Sequence, residues 1–119
     1  MLARVSTFAK PQRLLCKAQF DWVFADATKF SSKHFTFLVR LNLRQRARLG
    51  LAIAKKADPR AVGRNRVKRL LREAFRLHLP LLPALDVIVL AKPQVRSASS
   101  EVLLAEVEQL LETLKRRAG

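Results

Sequence analysis

Between Gly63 and Arg76 the apolar residues Val67, Leu70, Leu71, Ala74 and Phe75 recur at the i, i+3, i+4, i+7 interval of a helix with one dry face. A strand would send those side chains to both sides of a sheet, so the segment is satisfied as a helix laid against a core. At about 100° per residue, Asn65, Lys68, Arg69, Arg72 and Arg76 fall on the opposite side. The chain must therefore fold so that one surface of this helix is buried while the other presents a regular row of cations.

A merely solvated row would accompany an even spread of charge. The chain has 24 Lys and Arg against 9 Asp and Glu over 119 residues, a formal net charge of +15. Twelve of those bases and only two acids, Asp58 and Glu73, lie between Arg44 and Arg76. From Glu101 to Glu112 there are four acids and no base. Such clustering favours a polyanionic partner, nucleic acid above all, over a membrane surface or a purely colloidal role. Arg outnumbers Lys five to one between residues 64 and 76. Arg64-Asn65-Arg66 sets planar, forked donors side by side, which suits phosphates and base edges of irregular RNA better than simple solvation.

Half of the residues are apolar, so the chain can build a core and is not a disordered basic tail. One cysteine, Cys16, excludes an internal disulfide and every multi-cysteine zinc pattern; it reads as a packing residue. No apolar run approaches the roughly 18 residues of a membrane span, and no signal-peptide core opens the chain, so a cytoplasmic location without membrane contact is expected.

The pattern predicts a single RNA-binding domain over residues 14–119 preceded by a loosely ordered arm over 1–13. A first helix is expected from about residue 14 or 17 to 27, with Phe20, Val23, Phe24 and Ala27 on one face and Trp22 at its edge. Phe35–Leu41 reads as a strand with apolar odd positions and a partly wet even face. Residues 42–46 form a polar, basic turn, and 49–54 a second strand, so a hairpin between the two is the natural pairing. Asp58-Pro59 is expected to cap and open the basic helix, and Pro80 and Pro83 to end it. The apolar run 86–91 suits a strand buried on both faces. Ser99 or Ser100 caps a last helix whose apolar face is Leu103, Leu104, Val107, Leu110, Leu111 and Leu114. The order α-β-β-α-β-α defines an α+β fold, a small two-layer sandwich of one sheet with helices packed on it.

No catalytic constellation is visible. The nine acids are scattered singly, and the densest group is expected on the solvent face of the last helix. His34 and His78 read as surface or RNA-contacting residues rather than general bases. With three glycines there is no phosphate-cradling loop. Phe20 and Phe24 admit two readings, core residues or a stacking platform for unpaired bases.

The run Arg64-Asn65-Arg66-Val67-Lys68-Arg69-Leu70-Leu71-Arg72-Glu73-Ala74-Phe75-Arg76 resembles the RNR signature of the bacterial ribonuclease P protein component. The resemblance extends to Gln19-Phe20-Asp21-Trp22-Val23-Phe24, to the strand at Arg48 to Lys56 and to that at Leu85 to Ala91. It implies a subunit of an endoribonuclease ribonucleoprotein that removes the 5′ leader of precursor tRNA. The catalytic RNA partner would hold the Mg2+ ions, and the polypeptide would supply no catalytic residue and bind no metal or other cofactor of its own. Carried over by position, Arg64, Asn65, Arg66, Lys68, Arg69, Arg72 and Arg76, with Lys55 and Lys56, would contact RNA. Phe20, Phe24, Thr36, Leu38 and Arg40 would line a cleft for the leader, with Leu38 standing where some relatives place an aromatic ring. One protein per RNA subunit is expected. The rival readings are a ribosomal or other structural RNA-binding protein of similar fold, and a protein-only endonuclease.

Overall fold

A computed structural model describes residues 17–42 and 46–118. The chain runs α1 (Lys17–Ala25), β1 (Thr28–Ser31), β2 (Phe35–Leu41), β3 (Arg48–Ala52), α2 (Ala61–His78), β4 (Leu85–Ala91) and α3 (Ser100–Ala118). The arm expected over residues 1–13, Cys16 and residues 43–45 of the basic turn lie outside the described residues.

The four strands form one sheet in the order β1-β2-β4-β3. β2 pairs antiparallel with β1 and with β4, and β3 runs parallel to β4. The expected hairpin between β2 and β3 is therefore not formed, because β4 lies between them. The reason is burial: Val87, Ile88 and Val89 are all fully buried, and a strand apolar on both faces is satisfied only in the interior of a sheet covered on both sides. α2 then serves as the crossover that two adjacent parallel strands require. β1, an edge strand of sequence Thr-Lys-Phe-Ser, has mostly exposed residues and carries no alternation from which it could be predicted.

α2 and α3 pack on one face of the sheet, as expected of an α+β fold with helices laid on one sheet. The core there joins Phe35, Phe37 and Val39 of β2, Val87 and Val89 of β4, Val67, Leu71 and Phe75 of α2, and Leu103, Val107 and Leu111 of α3. The Phe37 and Phe75 rings meet at 5.5 Å between centroids. α1 lies on the other face, where Val23 packs on Ile88 with Phe20, Ala27, Leu38, Ala52 and Leu90 around them.

At one end of the sheet a buried polar knot ties three strands. The Asp86 carboxylate, fully buried, accepts hydrogen bonds from Arg48 Nε at 2.8 Å, Arg48 Nη2 at 2.5 Å and Asn42 Nδ2 at 2.8 Å. Asn42 N–H also donates to the Ala84 carbonyl at 3.0 Å, so the chain leaving β2 is fastened to the start of β4. A buried bidentate pair of this kind is costly to half-remove, because the remaining charge is stranded.

The ends of the helices follow local chemistry. α3 begins where expected, with Ser99 Oγ accepting the Val102 N–H at 3.2 Å. Leu104, placed on its apolar face from sequence, is 40% exposed. α2 begins later than expected: Arg60 is its N-cap residue, and Asp58 instead accepts the Arg60 N–H at 3.0 Å in a turn that precedes the helix. α2 ends at His78 and tightens into a 3-10 turn, Leu79–Leu81, that contains Pro80.

Neither histidine is freely exposed: His34 is buried and His78 half-buried. His34 is buried, its Nδ1 lies 2.7 Å from Glu106 Oε1, and its N–H donates to Glu106 Oε2 at 2.7 Å. Glu106 also accepts from the Ser32 hydroxyl. Burial opposes ionisation of Glu106, but the bonds from His34 and Ser32 outweigh it and hold the carboxyl below its ordinary value. His78 bridges Glu108 Oε1 at 2.7 Å and Lys115 Nζ at 2.8 Å. These acids of α3, expected in solvent, thus clamp α3 to the β1–β2 turn and to the end of α2.

Candidate nucleic-acid interface

The dry face of α2 is as the apolar interval requires. Gly63, Val67, Leu71, Ala74 and Phe75 are buried, and Leu70 is half-buried against the same core. On the other side Asn65, Arg69 and Arg72 are exposed, with Lys68 and Arg76 half-buried. Arg76 donates to Glu73 Oε1 at 3.0 Å, one helical turn away. The side chains of Asn65, Lys68, Arg69 and Arg72 make no hydrogen bond or ion pair among the described residues. Lys55 and Lys56 are exposed on the turn that leads toward this helix.

Arg64 and Arg66 behave differently from Asn65 between them. Arg64 Nη1 donates to the carbonyl oxygens of Asp58 and Pro59, both at 3.0 Å. Arg66 reaches across to the approach of α3, donating to Ser100 Oγ at 3.0 Å, Val95 O at 3.2 Å and Ala98 O at 3.4 Å. Helical angle explains the split. Arg64 and Arg66 flank the buried stripe on its two sides, whereas Asn65 points away from it. Both arginines therefore brace the ends of neighbouring loops.

Sequence reasoning gave Asp58 no role beyond its cap. Its carboxylate is 1% exposed and is held by Arg60 through Nε at 3.1 Å and Nη2 at 3.0 Å. The Arg60 side-chain hydrogen bond foremost, then its backbone N–H, lower the Asp58 pKa to about 2 against the cost of burial; the charges of Arg60 and Arg96 add to this. Gly63 seats this carboxylate, since a Cβ there would lie 1.8 Å from Asp58 Oδ2. The only local signal is the Asp-x-Arg spacing, and the glycine's meaning appears only in three dimensions.

The second predicted group assembles on the other face of the sheet. Phe20 is half-buried and Phe24 is 47% exposed, with ring centroids 6.5 Å apart. Neither ring belongs to the main core. Leu38 packs in the same small cluster as Phe20. Thr36 is buried rather than wet, its hydroxyl 3.4 Å from that of Ser31. Arg40 lays its guanidinium 3.9 Å over the Trp22 ring and donates to the Trp22 carbonyl at 2.5 Å, which pins α1 to β2. The basic row on α2 and the aromatic pair on α1 thus stand on opposite faces of the sheet.

An unpaired cationic helix face on an α+β scaffold, with an aromatic pair on the reverse side, is the arrangement of an RNA-binding protein. Among the described residues no three His, Cys, Asp or Glu side chains come together to hold a metal ion, and no helix is long and apolar enough to cross a membrane. The sequence pattern of the ribonuclease P family matches residues 8–115, and the chain belongs to that family. The ribonuclease P protein components of Legionella pneumophila strains Lens and Corby are each 55% identical over 86 residues, covering 72% of this chain and 74% of theirs. The structure of the Staphylococcus aureus RNase P protein superposes with a TM-score of 0.81 at 27% identity, over 87% of this chain and 95% of that one. That of Thermotoga maritima gives 0.73 at 28% identity, over 87% and 96%. The polypeptide is accordingly a subunit of the endoribonuclease ribonucleoprotein that matures the 5′ end of tRNA, with RNA as its partner.

Proposed function

We propose that the outer face of α2 binds the catalytic RNA subunit through Asn65, Lys68, Arg69, Arg72 and Arg76, with Lys55 and Lys56 extending the contact. Arg64 and Arg66 contribute by fixing the loops on either side of this face, and their outward N–H groups add to its field. The observation that carries the reading is that Lys68, Arg69 and Arg72 stand in one row with no acid paired to them among the described residues. Cations without an internal partner need break no ion pair to meet phosphates, and the counterions released supply affinity.

On the opposite face, Phe20, Phe24 and Leu38, bordered by Thr36 and Arg40, form the floor against which unpaired leader nucleotides of precursor tRNA stack. The exposure of Phe24 supports this reading over a core role. The assembly holds one protein per RNA subunit in the cytoplasm, with Mg2+ on the RNA and no metal on the polypeptide. Precursor tRNA cleavage by the RNA subunit at low magnesium, with and without the protein, tests the reading. Stimulation by the protein together with no cleavage by RNA-free protein is the expected result. Turnover by RNA-free protein, or no effect on the RNA subunit, would overturn it.

A further inference from the structure

β3 and β4 lie side by side and parallel, so the chain leaves both at the same end of the sheet. The crevice outside the carboxyl ends of parallel strands is where open sheets with helical crossovers take ligands. At this end a groove of about 570 Å³ is lined by Arg60, Pro93, Arg96 and Ser97. Arg60 belongs to the connection from β3 to α2, and the other three to the helical turn Pro93–Ser97 that follows β4. The volume lies in the range of small-ligand sites and accommodates a nucleotide unit rather than a lone ion.

The charges in this groove are arranged for an anion. Asp58 grips Arg60 through Nε and Nη2, which orients the guanidinium while leaving its side chain 65% exposed. Arg60 Nη1 has no partner among the described residues. Arg96 is exposed and makes no hydrogen bond among them, although its charge reaches Asp58. Arg64 brings a third guanidinium to the carbonyl oxygens of Asp58 and Pro59. The two guanidinium groups that line the groove, against one buried carboxylate, leave one positive charge, so Asp58 orients the site without neutralising it, and Arg64 adds its field from beside Asp58.

We propose that this groove holds a phosphodiester of the RNA subunit, with Arg60 Nη1 and Arg96 as its donors. Two observations favour that strand over the leader. Arg60 is the residue from which α2 starts, so the groove continues the helix whose outer face we assign to the RNA subunit. Phe20 and Leu38, assigned to the leader, pack instead around Val23 and Ile88 on the reverse face of the sheet. The inference rests on the RNA-binding reading of α2, and the test separates the two.

Binding of the full chain to the RNA subunit is measured across salt concentrations for Arg96→Ala, Arg72→Ala and Arg116→Ala, the last removing an equal charge from the exposed end of α3. Arg96→Ala is expected to keep the wild-type melting temperature and to shallow the log–log slope by about 0.7–0.9. Raising salt fourfold should then cost this variant about threefold less affinity than the wild type. Arg116→Ala should leave the slope in place. An unchanged slope for Arg96→Ala, or one that Arg116→Ala reproduces, overturns the proposal. So does a loss seen only in holoenzyme affinity for long-leader precursor tRNA, which would assign the groove to the leader. A reduced slope for Arg96→Ala beside an unchanged one for Arg72→Ala would instead sink the α2 reading and leave the groove standing.

Discussion

Replacing Gly63 by Ala sets two effects of known sign against each other. In an ordinary helix interior the change stabilises by about 1 kcal/mol, because Ala loses less backbone entropy on folding. At this position the new Cβ would lie 1.8 Å from Asp58 Oδ2 and 2.5 Å from Asp58 Cγ, far inside any tolerable contact. The carboxylate cannot swing aside freely, because it is buried and held by three hydrogen bonds from Arg60. Overpacking of a well-filled site costs roughly 1–3 kcal/mol, and a contact this short belongs at the upper end. The net expectation is a loss of about 2 kcal/mol, which for a domain of this size lowers the melting temperature by roughly 8 °C. Urea denaturation and thermal melts of Gly63→Ala check the sign. Asp58→Ala combined with Gly63→Ala should lose less than the two single changes summed, because the first removes the obstacle to the second. A stabilised Gly63→Ala, or strict additivity in the double variant, would refute the packing of Asp58 on this turn.

Leu71→Ala and Arg69→Ala should fail in different assays. Leu71 is fully buried, so its truncation should cost about 2–5 kcal/mol of stability, whereas Arg69→Ala should weaken RNA binding and leave the melting temperature in place. The lowered pKa of Asp58 predicts stability present above the ordinary carboxylate pKa of about 4 and lost as pH falls toward about 2. Asp58→Asn should flatten that stretch of the stability–pH curve, and an unchanged curve would contradict the assignment. Phe24→Ala should weaken binding of long-leader precursor tRNA by about 1–3 kcal/mol per stacked base while sparing mature tRNA; an equal loss for both substrates with a lower melting temperature would return the ring to a structural role.

Much of this architecture was legible because it is local. The interval of Val67, Leu71, Ala74 and Phe75 dictated the facing of α2, and Ser99 marked the start of α3. The apolar run of β4 was legible too, but its consequence is global: a strand buried on both faces must separate two others, which a default hairpin between β2 and β3 ignores. β1 escaped because a short edge strand needs one apolar residue at most, and Phe30 alone makes no pattern. The His34–Glu106 clamp joins residues 72 apart in sequence, so no local spacing could announce it. In the candidate site the row Asn65, Lys68, Arg69, Arg72 followed from helical angle alone. The inward commitments of Arg64 and Arg66 did not, since they depend on where the connection to α3 passes. Arg60 and Arg96 were equally hidden, being brought together by the parallel pairing of β3 and β4.

The central claim is that the unpaired row on α2 meets phosphates of the catalytic RNA. Its most direct measurement is the salt dependence of RNA-subunit binding by a variant with Lys68, Arg69 and Arg72 all replaced by Ala. If each cation neutralises one phosphate, the slope should fall by about 2 to 3 units with the melting temperature unchanged. A slope equal to that of the wild type in the folded triple variant would mean that this face of α2 is solvated and that the RNA is held elsewhere.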